Sequence, residues 1–259
     1  MLRPWVIAAV AILIAFVPSA SAASPPNDTP ATATLMTTLP FDDSVSIADA
    51  NTEPLDDEIH QLCGADALEH SVWYRYNATS EGIVRMDVST TDGFEPGAAV
   101  SRGFPVNGDS IVMCGEIDTY IETEPGGTYY FAAYSRSVGV TGTLNIHAQF
   151  RPKTVFLTLD SVARDPATGS VTLTGTITCS SSAEFGFVQA RMAAHTGRES
   201  GASDQGFSCT GSPEPWTAEV APRHGQFLGR ITVEVFAFIC DDFACEEEIA
   251  QEVVKLKPH

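Results

Sequence analysis

The chain has 259 residues, with 33 Asp and Glu against 14 Lys and Arg and a formal net charge of −19. So much negative charge keeps the chain soluble and self-repelling, and it disfavours nucleic acid or an anionic membrane surface as partners. The charge is uneven, with 19 acids and 4 bases in residues 24–150 but 14 and 9 in residues 151–259. That contrast fits two bodies of ordinary domain size.

Arg3 gives a short positive start, Val6 to Val17 is an almost unbroken apolar run, and Ala20-Ser21-Ala22 reads as a cleavage site. Residues 1–22 are therefore expected to be a signal peptide, since the run falls short of the roughly 20 residues that span a bilayer. No Cys follows the cleavage site, and no later segment is long and apolar enough to cross a membrane. The mature protein is expected to be released outside the cell, beginning near Ala23. Residues 23–40, rich in Pro, Thr and Ala, read as a loose lead-in.

Next, Asp42, Asp43, Glu53, Asp56, Asp57 and Glu58 gather six carboxylates in a stretch that Pro54 and a mixed pattern mark as loop. Calcium takes six to eight oxygen ligands, which acidic loops can supply. These residues are the candidates for a possible structural calcium, against the plainer reading of solvated charge. A second acidic group, Asp241-Asp242 with Glu246-Glu247-Glu248, ranks lower because it lies beside a strand.

Helical periodicity is nearly absent beyond this point, and strand periodicity is frequent. Ser71 to Tyr76 is dense in aromatics and Val, and Val84, Met86 and Val88 alternate with Arg85, Asp87 and Ser89. The same alternation of apolar and polar residues runs through Thr143 to Phe150, Val171 to Cys179, and Ile231 to Ile239. Asp92-Gly93, Asn107-Gly108, Gly126-Gly127 and Thr168-Gly169 mark turns between such runs. The pattern predicts an all-β chain of two antiparallel β-sandwich domains, jelly-roll or immunoglobulin-like, over residues 41–151 and 152–259. Arg151-Pro152-Lys153 is the expected linker. Trp73, Tyr74 and Tyr76 belong to the core by alternation. Trp216, between Pro215 and a polar stretch, reads either as core or as a ligand-binding surface residue.

Six cysteines follow the leader: Cys63, Cys114, Cys179, Cys209, Cys240 and Cys245. An even count in an exported chain implies disulfides. Cys63–Cys114 follows if the domains share no bridge. The other four allow three connectivities, of which Cys179–Cys209 with Cys240–Cys245 is favoured. The four-residue gap between Cys240 and Cys245 and the absence of a nearby His argue against zinc.

Several motifs occur in a set order: Asn27-Asp28, Leu39-Pro40-Phe41, Thr52-Glu53-Pro54, Cys63, Ser71 to Tyr76, Cys114, and Gly127-Thr128-Tyr129-Tyr130-Phe131. In this order they resemble the bacterial pre-peptidase C-terminal domain family over about residues 27–150. The resemblance implies a secreted β-sandwich that usually accompanies secreted proteases. One departure is Phe94-Glu95-Pro96, where Pro96 removes an amide donor, so that strand is expected to start later or lie at an edge. Residues 154–257, with Gly175-Thr176-Ile177-Thr178-Cys179, Cys209 and Trp216, resemble a secreted bacterial β-rich domain of unknown function.

No catalytic constellation emerges. The Gly201-Ala202-Ser203 segment lacks a nucleophile-elbow pattern, no His-Glu-x-x-His occurs, and the six His residues are scattered. The expectation is a monomeric, non-enzymatic binding or adhesion protein acting on extracellular glycan or protein. The alternative is an accessory or inhibitory partner of a separate secreted hydrolase.

Overall fold

A computed structural model describes residues 23–64, 70–137, 139–140, 142–180, 185–194, 199–223 and 226–257. The signal segment 1–22 and His195, His224 and His259 lie outside the described residues. The first half contains β1 (Thr34–Met36), β2 (Phe41–Ser46), α1 (Pro54–Cys63), β3 (Ser71–Asn77), β4 (Gly82–Thr90), β5 (Pro96–Arg102), β6 (Ile111–Gly115), β7 (Asp118–Thr123), β8 (Thr128–Ser135) and β9 (Thr143–Pro152). One sheet has the order β1-β3-β8-β5-β6 and the facing sheet β2-β9-β4-β7. The second half contains β10 (Phe156–Leu157), β11 (Ser161–Arg164), β12 (Val171–Thr178), β13 (Phe185–Ala194), β14 (Glu199–Gly206), β15 (Glu214–Val220), β16 (Gly229–Cys240) and β17 (Cys245–Leu256). Here β12 pairs with β15 on one side and with β10 and β11 on the other, and the second sheet runs β14-β13-β16-β17.

Alternation builds both cores. Tyr74, Tyr76, Val84, Met86 and Val88 meet Phe131, Leu144 and Ile146 between the first two sheets. Val171, Leu173 and Ile177 meet Val188, Val233, Val235 and Ile239 between the second two. Trp73, one residue out of phase with Tyr74, is buried on the opposite face of β3, with Ile59 of α1, Ala99 and Tyr134. Pro96 is the first residue of β5, and its ladder to β6 begins only at Ala98. The strand is interior all the same, lying between β8 and β6. All three disulfides are formed: Cys63–Cys114, Cys179–Cys209 and Cys240–Cys245.

Three expectations need correction. Residues 54–63 are a helix, not a loop: Pro54 occupies its first turn, Glu53 and Asp56 form a capping box, and Gly64 ends it at φ 63°. The lead-in is tied down rather than loose. Trp73 donates its amide to the Asn27 carbonyl at 2.8 Å, Asn51 donates its amide to Asp28 at 2.9 Å, and β1 pairs in parallel with β3. Finally, Arg151-Pro152 is the end of β9 rather than a free linker, and both flanking cations are engaged.

Candidate functional site

The six calcium candidates do not converge. Asp42 and Asp43 leave opposite faces of β2: Asp42 meets His147 at 2.6 Å, while Asp43 accepts the Tyr74 hydroxyl at 2.9 Å. Glu53 and Asp56 cap α1, Glu58 accepts the Gly108 amide, and Asp57 stands in the first turn of the helix. Among the described residues no group of three or more His, Cys, Asp or Glu is placed to hold a metal ion. The six are spread over both faces of β2 and the capped start of α1 and share no common centre. Trp216 is only 3% exposed, and its indole donates to the Thr158 carbonyl at 3.1 Å, so it is core and presents no ring to a ligand.

The lower-ranked acidic group does converge, on the cations at the end of β9. Arg151 pairs with Asp241 and, at 2.6 Å, with Glu246. These carboxylates are only 4% and 3% exposed. Glu246 also accepts the amides of Thr154 and Val155 at 2.9 and 3.1 Å, so it clamps the connection between the halves. Lys153 bridges Glu81 at 2.8 Å and Glu248. On β4, Arg85 donates to the Asp242 and Phe243 carbonyls at 2.7 and 2.8 Å, and the Phe243 ring lies over Arg151 at 4.7 Å. The Cys240–Cys245 bridge closes this hairpin tip into a knuckle seated between Arg85 and Arg151.

Opposing electrostatic forces act inside this latch. Burial works against ionisation of Asp241, but the Ala244 and Phe243 amides and Arg151 outweigh it and hold the carboxyl below its ordinary value. Burial likewise opposes the charge on Lys153, and Glu248 and Glu81 overcome it, leaving the ammonium above its ordinary value. Glu122 goes the other way. Burial raises its carboxyl, and the nearby Glu247 and Glu246 add to the rise against the Glu247 amide and Lys153.

Beside the latch, the halves enclose a crevice with two contiguous lobes of about 290 and 350 Å³, which share Arg102, Glu122 and Glu247. Glu81, Glu124 and Glu248 add acid to the first lobe, and Val112, Tyr120 and Phe238 supply apolar surface in the second. Phe238 continues into a row on the outer face of the β14-β13-β16-β17 sheet, with Phe236 at 6.3 Å and Phe187 at 5.7 Å. The crevice opens onto β17, whose one strand partner among the described residues is β16. The outward residues of that strand include Ile249 and Val253, 53% and 54% exposed. Domain boundaries are common places for ligand sites.

Sequence reasoning missed Arg85, Arg151, Glu122 and Phe243 as partners. The available signal was compositional: cations are scarce in the acidic half, and the acid run Glu246-Glu247-Glu248 sits beside a closely spaced cysteine pair.

No family model and no curated protein matches the chain. Among solved structures it is similar to the pre-peptidase C-terminal domain of a collagenase from Bacillus anthracis, at 15% identity and TM-score 0.32, covering 45% of this chain and 94% of that one. It is also similar to a GH2 beta-galacturonidase from Eisenbergiella tayi, at 10% identity and TM-score 0.29, covering 83% of this chain and 46% of that one. A beta-glucuronidase from Parabacteroides merdae matches at 9% identity and TM-score 0.28, covering 78% and 30%. This chain thus spans less than half the length of either hydrolase. The likeness is a weak one at the level of the β-sheet fold and carries no activity.

Proposed function

We propose that this is a secreted, non-catalytic binding or adhesion protein whose first half is a pre-peptidase C-terminal-type sandwich. It grips an extracellular protein or glycan at the crevice between its halves. The observation that carries the reading is the crevice itself, whose walls are fixed by the buried Arg151–Asp241–Glu246 latch and whose mouth mixes acid with exposed apolar surface. A preorganised site binds without the entropic cost of ordering its walls. Three disulfides support export to an oxidising compartment. No helix among the described residues is long and apolar enough to cross a membrane. Two of the described histidines are engaged away from any nucleophile, His70 with the Ala50 carbonyl and His147 with Asp42.

The mature chain is to be applied to arrays of glycans and extracellular proteins, with parallel assays of peptide and glycoside hydrolysis. Saturable retention of at least one ligand without turnover is expected. Hydrolysis, or an array with no saturable ligand, would overturn the reading. Retention of a secreted hydrolase with a change in its activity would move it to an accessory or inhibitory partner.

A further inference from the structure

We propose that the crevice receives a Lys or Arg side chain from an extended, apolar stretch of an extracellular polypeptide. The neighbouring apolar side chains of that stretch lie along the outer face of the β14-β13-β16-β17 sheet. The inference rests on the binding reading above and names the ligand class at the same crevice.

The two lobes meet at Glu122 and Glu247, which line both. The nearby cations are already engaged elsewhere. Lys153 bridges Glu81 and Glu248, Arg151 holds Asp241 and Glu246, and Arg102 pairs with Glu124 at 3.8 Å. Glu122 and Glu247 are left without an ion pair among the described residues. Burial and the neighbouring Glu247 and Glu246 hold the Glu122 carboxyl above its ordinary value, even against the Glu247 amide and Lys153. A cation brought in by a ligand supplies the missing counter-charge where water is partly excluded and charge pairs count for more. A neutral or acidic ligand would bury these carboxylates further with nothing to offset the loss of solvent.

Beside the two carboxylates, Val112, Met113, Tyr120 and Phe238 form the apolar wall of the second lobe. That lining suits a long cationic side chain, which buries an apolar stem and presents a charged head. Tyr120 and Phe238 also offer aromatic rings to the cation. The apolar surface then continues past the crevice with the spacing of a strand. Phe238 and Phe236 follow each other on β16 with ring centroids 6.3 Å apart, and Phe187 lies 5.7 Å from Phe238. Ile249, 53% exposed, is the register partner of Phe236. Same-side side chains of an extended peptide repeat at about 6.6 Å, so alternate ligand residues meet successive positions of this row. Charge at the crevice and apolar spacing beyond it thus favour a polypeptide over a neutral glycan.

The full mature chain is to be titrated with labelled, capped octapeptides, read by fluorescence anisotropy. Each carries one Arg in a Gly-Ser background, with two Leu or Phe at alternate positions on one side of it. Matched peptides carry neutral citrulline for Arg, or Ser for the apolar residues. At least one Arg peptide is expected to bind saturably below about 100 μM, and either replacement is expected to weaken it about tenfold. Glu122→Gln keeps an oxygen for the Glu247 amide, and Glu247→Gln alters an exposed side chain. The double variant is expected to bind Arg and citrulline peptides alike, and Phe238→Ser to weaken both. The wild-type comparison of Arg with citrulline needs no variant to fold. No bound peptide, citrulline bound as tightly as Arg by wild type, or a double variant that still prefers Arg would each overturn the proposal. A glycan retained in place of the peptides would leave the broader binding reading standing and remove this one. A peptide bound and also cleaved would uphold this ligand class and overturn the non-catalytic reading.

Discussion

Asp56 shows how one side chain can hold a helix start and a buried indole together. Its carboxylate accepts the Glu53 amide at 2.8 Å and the Ser71 hydroxyl at 2.6 Å, and Ser71 in turn accepts the Trp73 indole at 3.0 Å. The residue is fully buried. Burial pushes its carboxyl from 3.8 up to about 6, against those hydrogen bonds, with Glu53 and Asp28 nearby adding to the rise. The folded chain therefore takes up this proton more readily than the unfolded one. The resulting stability is fully present below pH 3.8 and is lost as pH rises through about 6. Asp56→Asn keeps the shape and removes the titration. Chemical denaturation at pH 4.5 and 7.5 is expected to show wild type gaining about 2 kcal/mol on the variant at the lower pH. A gap that does not change with pH would mean that Asp56 stays ionised in the folded protein throughout.

At the scale of elements, α1 covers the outer face of β3 with one apolar stripe. Ile59 is buried against Trp73 and Tyr134, while Leu62, three residues on, is 55% exposed. Ile59→Ala is expected to cost about 2–4 kcal/mol in unfolding free energy, and Leu62→Ala under about 1 kcal/mol. Equal losses would mean that the helix presents another face. Strands were legible in the sequence because alternation is local: Val84, Met86 and Val88 declare their face within five residues. The helix was not. Its apolar residues, Leu55, Ile59 and Leu62, are interrupted by the acid run Asp56-Asp57-Glu58, which also suits a metal loop, and the Pro54 start and Gly64 stop were the usable signals. Trp216 was ambiguous for a related reason. Only the fold sets Gly175 opposite it, where the absent side chain leaves room for the indole. A Cβ at Gly175 would run into the Thr158 backbone carbonyl and lie 2.7 Å from that ring, so Gly175→Ala is expected to lower stability by about 1–3 kcal/mol by overpacking. An unchanged melt would show that the β10–β12 edge and the indole can both move aside.

For the molecule as a whole, charge counted by halves suggested two bodies, and the change of core between Phe150 and Val155 gives each its own apolar interior. What joins them could not be read from the sequence, because Arg151 finds Asp241 and Glu246 across 90 and 95 residues of chain. Separate cores joined by a polar latch make cooperativity depend on very few side chains. Removing Arg151 leaves two carboxylates buried without their cation, and breaking such a pair costs about 3–5 kcal/mol. Arg151→Lys preserves the charge but not the planar fork that reaches both acids, so it should fall between wild type and Arg151→Ala. Wild type is expected to melt in one calorimetric transition, because neither half can open without exposing the latch. In Arg151→Ala the knuckle at Asp241–Ala244 loses its anchor, and the transition is expected to separate into two as the halves become independent. The same separation is expected in wild type at acid pH. Asp241 has a lowered carboxyl value, so its contribution is present above its ordinary 3.8 and is lost as pH falls through the depressed value. Scanning calorimetry of the three proteins at pH 7, with wild type repeated in steps downward from pH 3.8, makes the comparison. A single transition in Arg151→Ala at pH 7 would show that the apolar contacts around the crevice, and not the latch, hold the two sandwiches together.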